Sequence, residues 1–178
     1  MKKRIIALGL LWCLSAVMLQ AARVDTVLVR SVAMNKDVKV VYVLPDKAIG
    51  KQACPVVYLL HGYGGNARSW MQLKPELPQM ADEKGIIFVC PDGKNSWYWD
   101  SPENPAYRYE TFVTSELVKY TDGNYATIPD RKARAISGLS MGGHGALWSA
   151  IRHKDVFGAA GSMSGGVDIR PFPQNWEM

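Results

Sequence analysis

The 178 residues contain only three cysteines and three histidines, and that scarcity closes off several functions. No histidine or cysteine stands at a metal-ligand spacing from another, so no metal site is expected. Cys13 sits inside an apolar run, which leaves Cys54 and Cys90. Cys54 precedes one expected strand and Cys90 ends the next. In parallel strands their sulfurs would lie at opposite ends of the sheet, too far apart to bond, so both are expected as free thiols. No apolar run reaches the ~20 residues of a membrane span. Internal repeats and low-complexity tracts are absent. Charged residues at 21% and aromatics at 10% are ordinary, which excludes disordered and coiled-coil chains.

What is present begins with an address. Lys2, Lys3 and Arg4 precede an apolar run from Ile5 to Leu19, followed by small residues near Ala21 and Ala22. This is the pattern of a secretory signal peptide over residues 1–22; the alternative is an uncleaved anchor, for which the run is short. Cleavage would lower the net charge from +5 to +2. The basic balance therefore belongs to the leader, and no nucleic-acid partner is implied. The expectation is an exported protein with no stable membrane insertion after cleavage.

Residues 23–178 read as one domain. The stretches 25–34 and 38–45 are rich in β-branched residues and flank Asn35-Lys36-Asp37, predicting a hairpin. Pro55 to Gly62, Gly85 to Gly93 and Ala133 to Ser140 have continuous apolar centres, the mark of strands covered on both faces. A helix is expected over 76–84, with Gly85 at its C-terminal cap. A long aromatic loop spans 94–108. After it, Phe112, Val113, Leu117 and Tyr120 share one helical face. A further helix follows Ser140, then a short strand within 156–166. Strands alternating with helices imply an α/β fold, a mainly parallel sheet led by an antiparallel hairpin.

The chemistry concentrates at "GLSMG", Gly138 to Gly142. A serine between glycines, after a buried strand and before a helix, fits a nucleophile held on a strained turn. The competing reading is an ordinary glycine-rich turn. Ester hydrolysis also needs backbone N–H groups aimed at the developing oxyanion. Met141, after the serine, would supply one. Tyr63, in the loop "HGYGG" after the third strand, would supply the other.

The stretches "PVVYLLHGYGG", "FVCPDG", "SWYWDSP", "YETFVTSELVKY" and "ARAISGLSMGGHGAL" resemble a family of α/β-hydrolase esterases. That family includes esterase D, tributyrin esterases, feruloyl esterases and the mycobacterial mycolyltransferase antigens. The resemblance runs from Pro55 to about Gly166. It implies an α/β-hydrolase fold, Ser140 as nucleophile, and the N–H groups of Tyr63 and Met141 as the oxyanion hole. His61, Trp97 and Tyr98 would border the substrate pocket, although Trp97, Tyr98 and Trp99 could equally be packing. Glu110 would be structural. No metal or organic cofactor is implied.

A serine nucleophile needs a histidine base oriented by a carboxylate, and the family draws both from loops well after the sixth strand. None of the histidines present suits the role. His144 lies in the helix after the serine, His153 near that helix's far end, and His61 in the oxyanion loop. Asp168 stands where some α/β-hydrolases place their acid. The expectation is therefore the N-terminal two-thirds of a longer exported serine esterase, inactive alone, with C-terminal strands and helices missing and its last strand uncovered. Its substrate would be a small ester or an esterified carbohydrate, acetylated or feruloylated, with short-chain glycerol esters an equal rival. Acyl transfer to a sugar hydroxyl and a non-catalytic carbohydrate-binding remnant are the alternatives. Oligomeric state is unread.

Overall fold

The computed structural model describes residues 22–168. Residues 1–21 of the expected leader and the segment 169–178 lie outside the described residues. Six strands form one sheet in the order β1-β2-β4-β3-β5-β6: β1 Arg23–Ser31, β2 Lys36–Leu44, β3 Val56–Leu60, β4 Ile87–Pro91, β5 Arg134–Leu139 and β6 Ala159–Met163. β1 runs antiparallel to β2, and β2 antiparallel to β4. The pairs β3–β4, β3–β5 and β5–β6 are parallel. The α/β expectation, antiparallel hairpin first, is the architecture found.

The central strands are apolar on both faces because both are covered. Val40, Tyr42, Val56, Tyr58, Ile87, Val89 and Ile136 face Phe112, Leu117 and Met141 on one side. Val41, Val43, Leu59, Phe88 and Cys90 face Leu77 and Ala81 on the other. Those last two belong to α3, Leu77–Lys84, which ends where Gly85 turns left-handed at φ 62°. A side chain is strained there and glycine is not. Two short helices went unanticipated, α1 Asp46–Ile49 and α2 Ser69–Leu73. Cys54 and Cys90 are both buried and free, as their positions on parallel strands required. Among the described residues no helix is long and apolar enough to cross a membrane.

Two local expectations are corrected. The hairpin turn falls at Val32–Asn35 rather than at Asn35–Asp37: the Asn35 N–H donates to the Val32 carbonyl and Asn35 is left-handed at φ 50°. Glu116 holds this turn from outside, accepting the Ser31 hydroxyl at 2.6 Å and the Ala33 N–H at 2.8 Å.

The helix after the aromatic loop carries a π turn. It begins as α4, Tyr109–Thr111, widens over Phe112–Glu116 and continues as α5, Leu117–Asn124. Phe112, Val113 and Leu117 are buried as expected. Tyr120 packs partly buried against the same core, and Thr121 beside it is fully buried. Its hydroxyl donates to the Leu117 carbonyl and meets the Tyr42 hydroxyl at 2.9 Å.

Helix α6, Met141–Arg152, packs on β5 and β6. β6 lies at the sheet edge, and four of its five residues are exposed.

Candidate active site

Ser140 joins β5 to α6 at φ 54° and ψ −117°, a conformation that side chains avoid and that persists only where the surroundings impose it. The surroundings do so through glycine. A Cβ on Gly138 would lie 2.2 Å from the Gly142 oxygen. One on Gly142 would lie 2.2 Å from the Leu60 oxygen. Backbone thus meets backbone on both sides of the serine, and any larger residue would force the turn open. The Ser140 N–H donates to the Met163 carbonyl at 2.8 Å, anchoring the turn to the end of β6. Ser140 is exposed, and its hydroxyl does not cap the helix.

The helix supplies donors at the same place. Its first ladder bond runs from the His144 N–H to the Ser140 carbonyl at 3.0 Å. The N–H groups of the first turn, Met141 among them, lie outside the ladder, as at any helix start. The loop after β3 comes alongside: a Cβ on Gly62 would stand 3.5 Å from the Ser140 Cβ.

Within that loop the Gly62 carbonyl accepts two bonds, from the Gly65 N–H at 3.0 Å and from His61 Nδ1–H at 2.7 Å. A trans peptide is planar, with its C=O and N–H on opposite sides. Pinning the Gly62 oxygen therefore also fixes the direction of the Tyr63 N–H. His61 can do this because its Nε2 accepts the Gly93 N–H at 2.9 Å. An imidazole that accepts at Nε2 and donates at Nδ1 is neutral and of one tautomer. Asp92 lies beyond it. Burial works against the Asp92 charge, but the Lys94 backbone N–H and ammonium, both donating to its carboxylate, outweigh burial and hold it well below the usual range.

Of the three residues expected to border the pocket, Trp97 lines a cavity of about 520 Å³ together with Asn95, Ser96, Trp99 and Tyr107. His61 and Tyr98 do not: they are 1% and 0% exposed. The Tyr98 hydroxyl donates to the His61 carbonyl, and its ring fills the space that side chains on Gly93 and Gly145 would need. These two residues support the loop after β3 from beneath.

The other histidines are committed elsewhere. His144 Nδ1–H donates to the Gly166 carbonyl at 2.7 Å, and its Nε2 accepts the Trp99 indole N–H at 2.7 Å. His153 Nε2 bonds Glu110 at 2.8 Å. Glu110 holds the far end of α6. It accepts the Trp148 indole N–H and the Arg152 guanidinium besides His153. Burial opposes its charge, yet the bonds from Arg152, Trp148 and His153 outweigh burial and lower its pKa.

A groove of about 700 Å³ runs along this face of α6, bordered by Trp99, Glu110, His144, Trp148, Val167 and Asp168. The sequence reading missed these ties. The spacing of His144, Trp148 and Arg152, four residues apart along one helical face, was the available signal. Among the described residues, no group of three His, Cys, Asp or Glu side chains could hold a metal ion.

Residues 31–177 match the family model described as "Putative esterase". The chain is 28% identical to an acetyl esterase of Caldicellulosiruptor saccharolyticus over 70% of its own length and 49% of that protein's. With the diacylglycerol acyltransferase/mycolyltransferase Ag85A of Mycobacterium leprae it shares 34% identity, over 82% of this chain and 44% of the relative. A solved ferulic acid esterase superposes with a TM-score of 0.74 at 30% identity, covering 85% of this chain and 63% of that one. MPT51 of Mycobacterium tuberculosis superposes at 0.72 with 27% identity, covering 84% and 53%. The chain spans about half the length, or less, of the curated relatives it matches.

Proposed function

The chain belongs to the esterase family of α/β-hydrolases, and from that premise we propose that it is the nucleophile-bearing part of an exported serine carboxylic-ester hydrolase. One observation carries the reading. Ser140 is held at φ 54° with its hydroxyl exposed, beside a loop whose peptide planes are fixed. A turn stores strain of this kind where chemistry uses it.

In the proposed reaction Ser140 Oγ attacks the acyl carbon while a base takes its proton. The oxyanion so formed accepts the N–H groups of Tyr63 and Met141. The alcohol leaves with the proton, and water then attacks the acyl-serine to release the acid and restore the hydroxyl. His61 and His144 have both ring nitrogens bonded to other described groups, and His153 lies at the end of α6 opposite Ser140. That supports a base and acid drawn from outside residues 22–168. The basic leader and the apolar run from Ile5 to Leu19 support export.

The relatives support an acetylated or feruloylated substrate. The likeness to Ag85A favours a second reading, acyl transfer to an alcohol acceptor. The protein purified from its producing cells should take a fluorophosphonate on Ser140, read by peptide mass spectrometry. It should also release acid from p-nitrophenyl acetate or methyl ferulate. Folded protein with no adduct on Ser140 would overturn the esterase reading. A new ester formed with an added sugar alcohol, in preference to free acid, would select acyl transfer.

A further inference from the structure

His144 stands in the first turn of α6, and its two ring bonds run to different parts of the chain. Nδ1–H donates to the Gly166 carbonyl beyond β6, and Nε2 accepts the indole N–H of Trp99 in the aromatic loop, each at 2.7 Å. A carbonyl can only accept and an indole N–H can only donate. These partners therefore fix the ring as one neutral tautomer, with its proton on Nδ1 and a lone pair on Nε2.

The ring also lies among indoles. Its centroid is 5.5 Å from that of Trp97, edge to face, and 5.3 Å from that of Trp99. Trp97 and Trp99 border the cavity of about 520 Å³. Trp97 and Tyr98 are both left-handed, at φ 53° and 60°, which bulky residues adopt only where their surroundings impose it. Helix α6 supplies that hold twice near its start. Tyr98 fills the space beside Gly145, and the flanking indoles pack on His144. The backbone N–H of His144 meanwhile donates to the Ser140 carbonyl at 3.0 Å. One residue thus joins the serine turn to the wall of the cavity.

We propose that His144 is a positioning residue that holds the Trp97–Trp99 wall against the serine turn, and that it does so only while its ring is neutral. The link between ring and indole stands by itself; its effect on turnover rests on the esterase reading. A proton added at Nε2 sets N–H against N–H, so the bond to Trp99 is lost and the wall is released. A substrate whose bulk reaches the wall then has to order it on binding, at a cost in affinity that a small substrate does not meet. Preference for bulky over small esters should therefore fall as pH drops through the range in which histidines titrate, about 5 to 8. The charged groups that share the groove with the ring are Asp100 from the aromatic loop, Glu110 from α4, Arg152 and His153 from α6, and Asp168 beyond β6. Of these, His153 is the other imidazole and needs its own control.

The test uses the protein purified from its producing cells, with Trp99→Phe and His153→Gln made in the same chain. In the wild type the Trp99 indole proton, followed by NMR against pH, should move with the His144 ring protons in one step. It should do so in His153→Gln as well. Across that step kcat/KM relative to methyl acetate should fall about fivefold, chiefly through KM, for methyl ferulate (bulky acyl side) or phenyl acetate (bulky alcohol side). The catalytic base is common to these substrates, so the ratio cancels its titration. In Trp99→Phe, which has no indole donor, the ratio should no longer change with pH. A Trp99 resonance that does not follow the His144 ring would overturn the proposal. So would a wild-type ratio that is flat for both bulky esters, or one that still falls in Trp99→Phe. A wild-type protein with no adduct on Ser140 and no hydrolysis would instead sink the esterase reading, and the resonance would still decide whether the neutral ring holds Trp99.

Discussion

The two ends of helix α6 are built on opposite principles. At its start Ser140 is exposed, left-handed and without a cap bond, and glycines bring backbone against backbone around it. At its end Trp148, Arg152 and His153 all deliver hydrogen bonds to one carboxylate, Glu110. One end holds a strained, exposed serine that caps nothing. The other satisfies its groups and relieves nothing. A histidine close in sequence to the elbow serine is therefore no evidence of a base: both ring nitrogens of His144 are bonded to other groups.

The contrast can be broken most severely at the serine. Ser140→Ala should leave the fold intact, since the residue caps nothing, and abolish fluorophosphonate attachment and ester hydrolysis. Loss of the nucleophile costs on the order of a million-fold in turnover. Survival of activity in that variant would move the chemistry elsewhere.

Gly142→Ala comes next. Its Cβ would meet the Leu60 oxygen at 2.2 Å and the His61 oxygen at 2.7 Å. Backbone at the end of β3 must shift, at a cost of about 3 kcal/mol, read as a lower urea midpoint. Retained stability would mean the elbow is looser than its glycines imply.

At the other end Glu110→Ala should cost about 2 kcal/mol, because three donors lose a buried partner. It should leave the reactivity of Ser140 in the folded protein unchanged. The same group sets a pH dependence. Its folded pKa is lowered, so its contribution is complete above the ordinary carboxylate value and is lost as pH falls below it toward the lower folded value. Urea midpoints measured from about pH 6 to pH 3 should drop in the wild type and drop less in Glu110→Gln. Parallel curves would remove Glu110 from the acid limb.

The smallest effect is expected from Trp99→Phe. It deletes the indole donor to His144 and keeps most of the ring, a loss of about 1 kcal/mol measurable by the same unfolding.

How much of this was readable beforehand follows from the range of the interactions. The strands showed in short runs of apolar, β-branched residues, and the end of α3 in Gly85, because each depends on the chain within a few residues. The elbow was readable for the same reason: Gly138, Ser140 and Gly142 belong to one turn. The buried place of Thr121 was not, since its hydroxyl meets Tyr42, 79 positions away along the chain. The displaced hairpin turn depends on Glu116, 83 and 85 positions away along the chain. Tyr98 looked like a pocket aromatic, and only packing against Gly93 and Gly145 shows that it is core.

By itself, then, the amino-acid sequence determined the alternation of strands and helices, the strained serine and the glycines that permit it. These are matters of backbone conformation, settled by which residues tolerate which dihedrals. Only the tertiary structure decided the partners: His144 with Trp99 and Gly166, His153 with Glu110, His61 with Gly93. Most of these hydrogen bonds join groups tens of residues apart. No local pattern encodes them, because the donor and acceptor meet only after the sheet has brought their loops together.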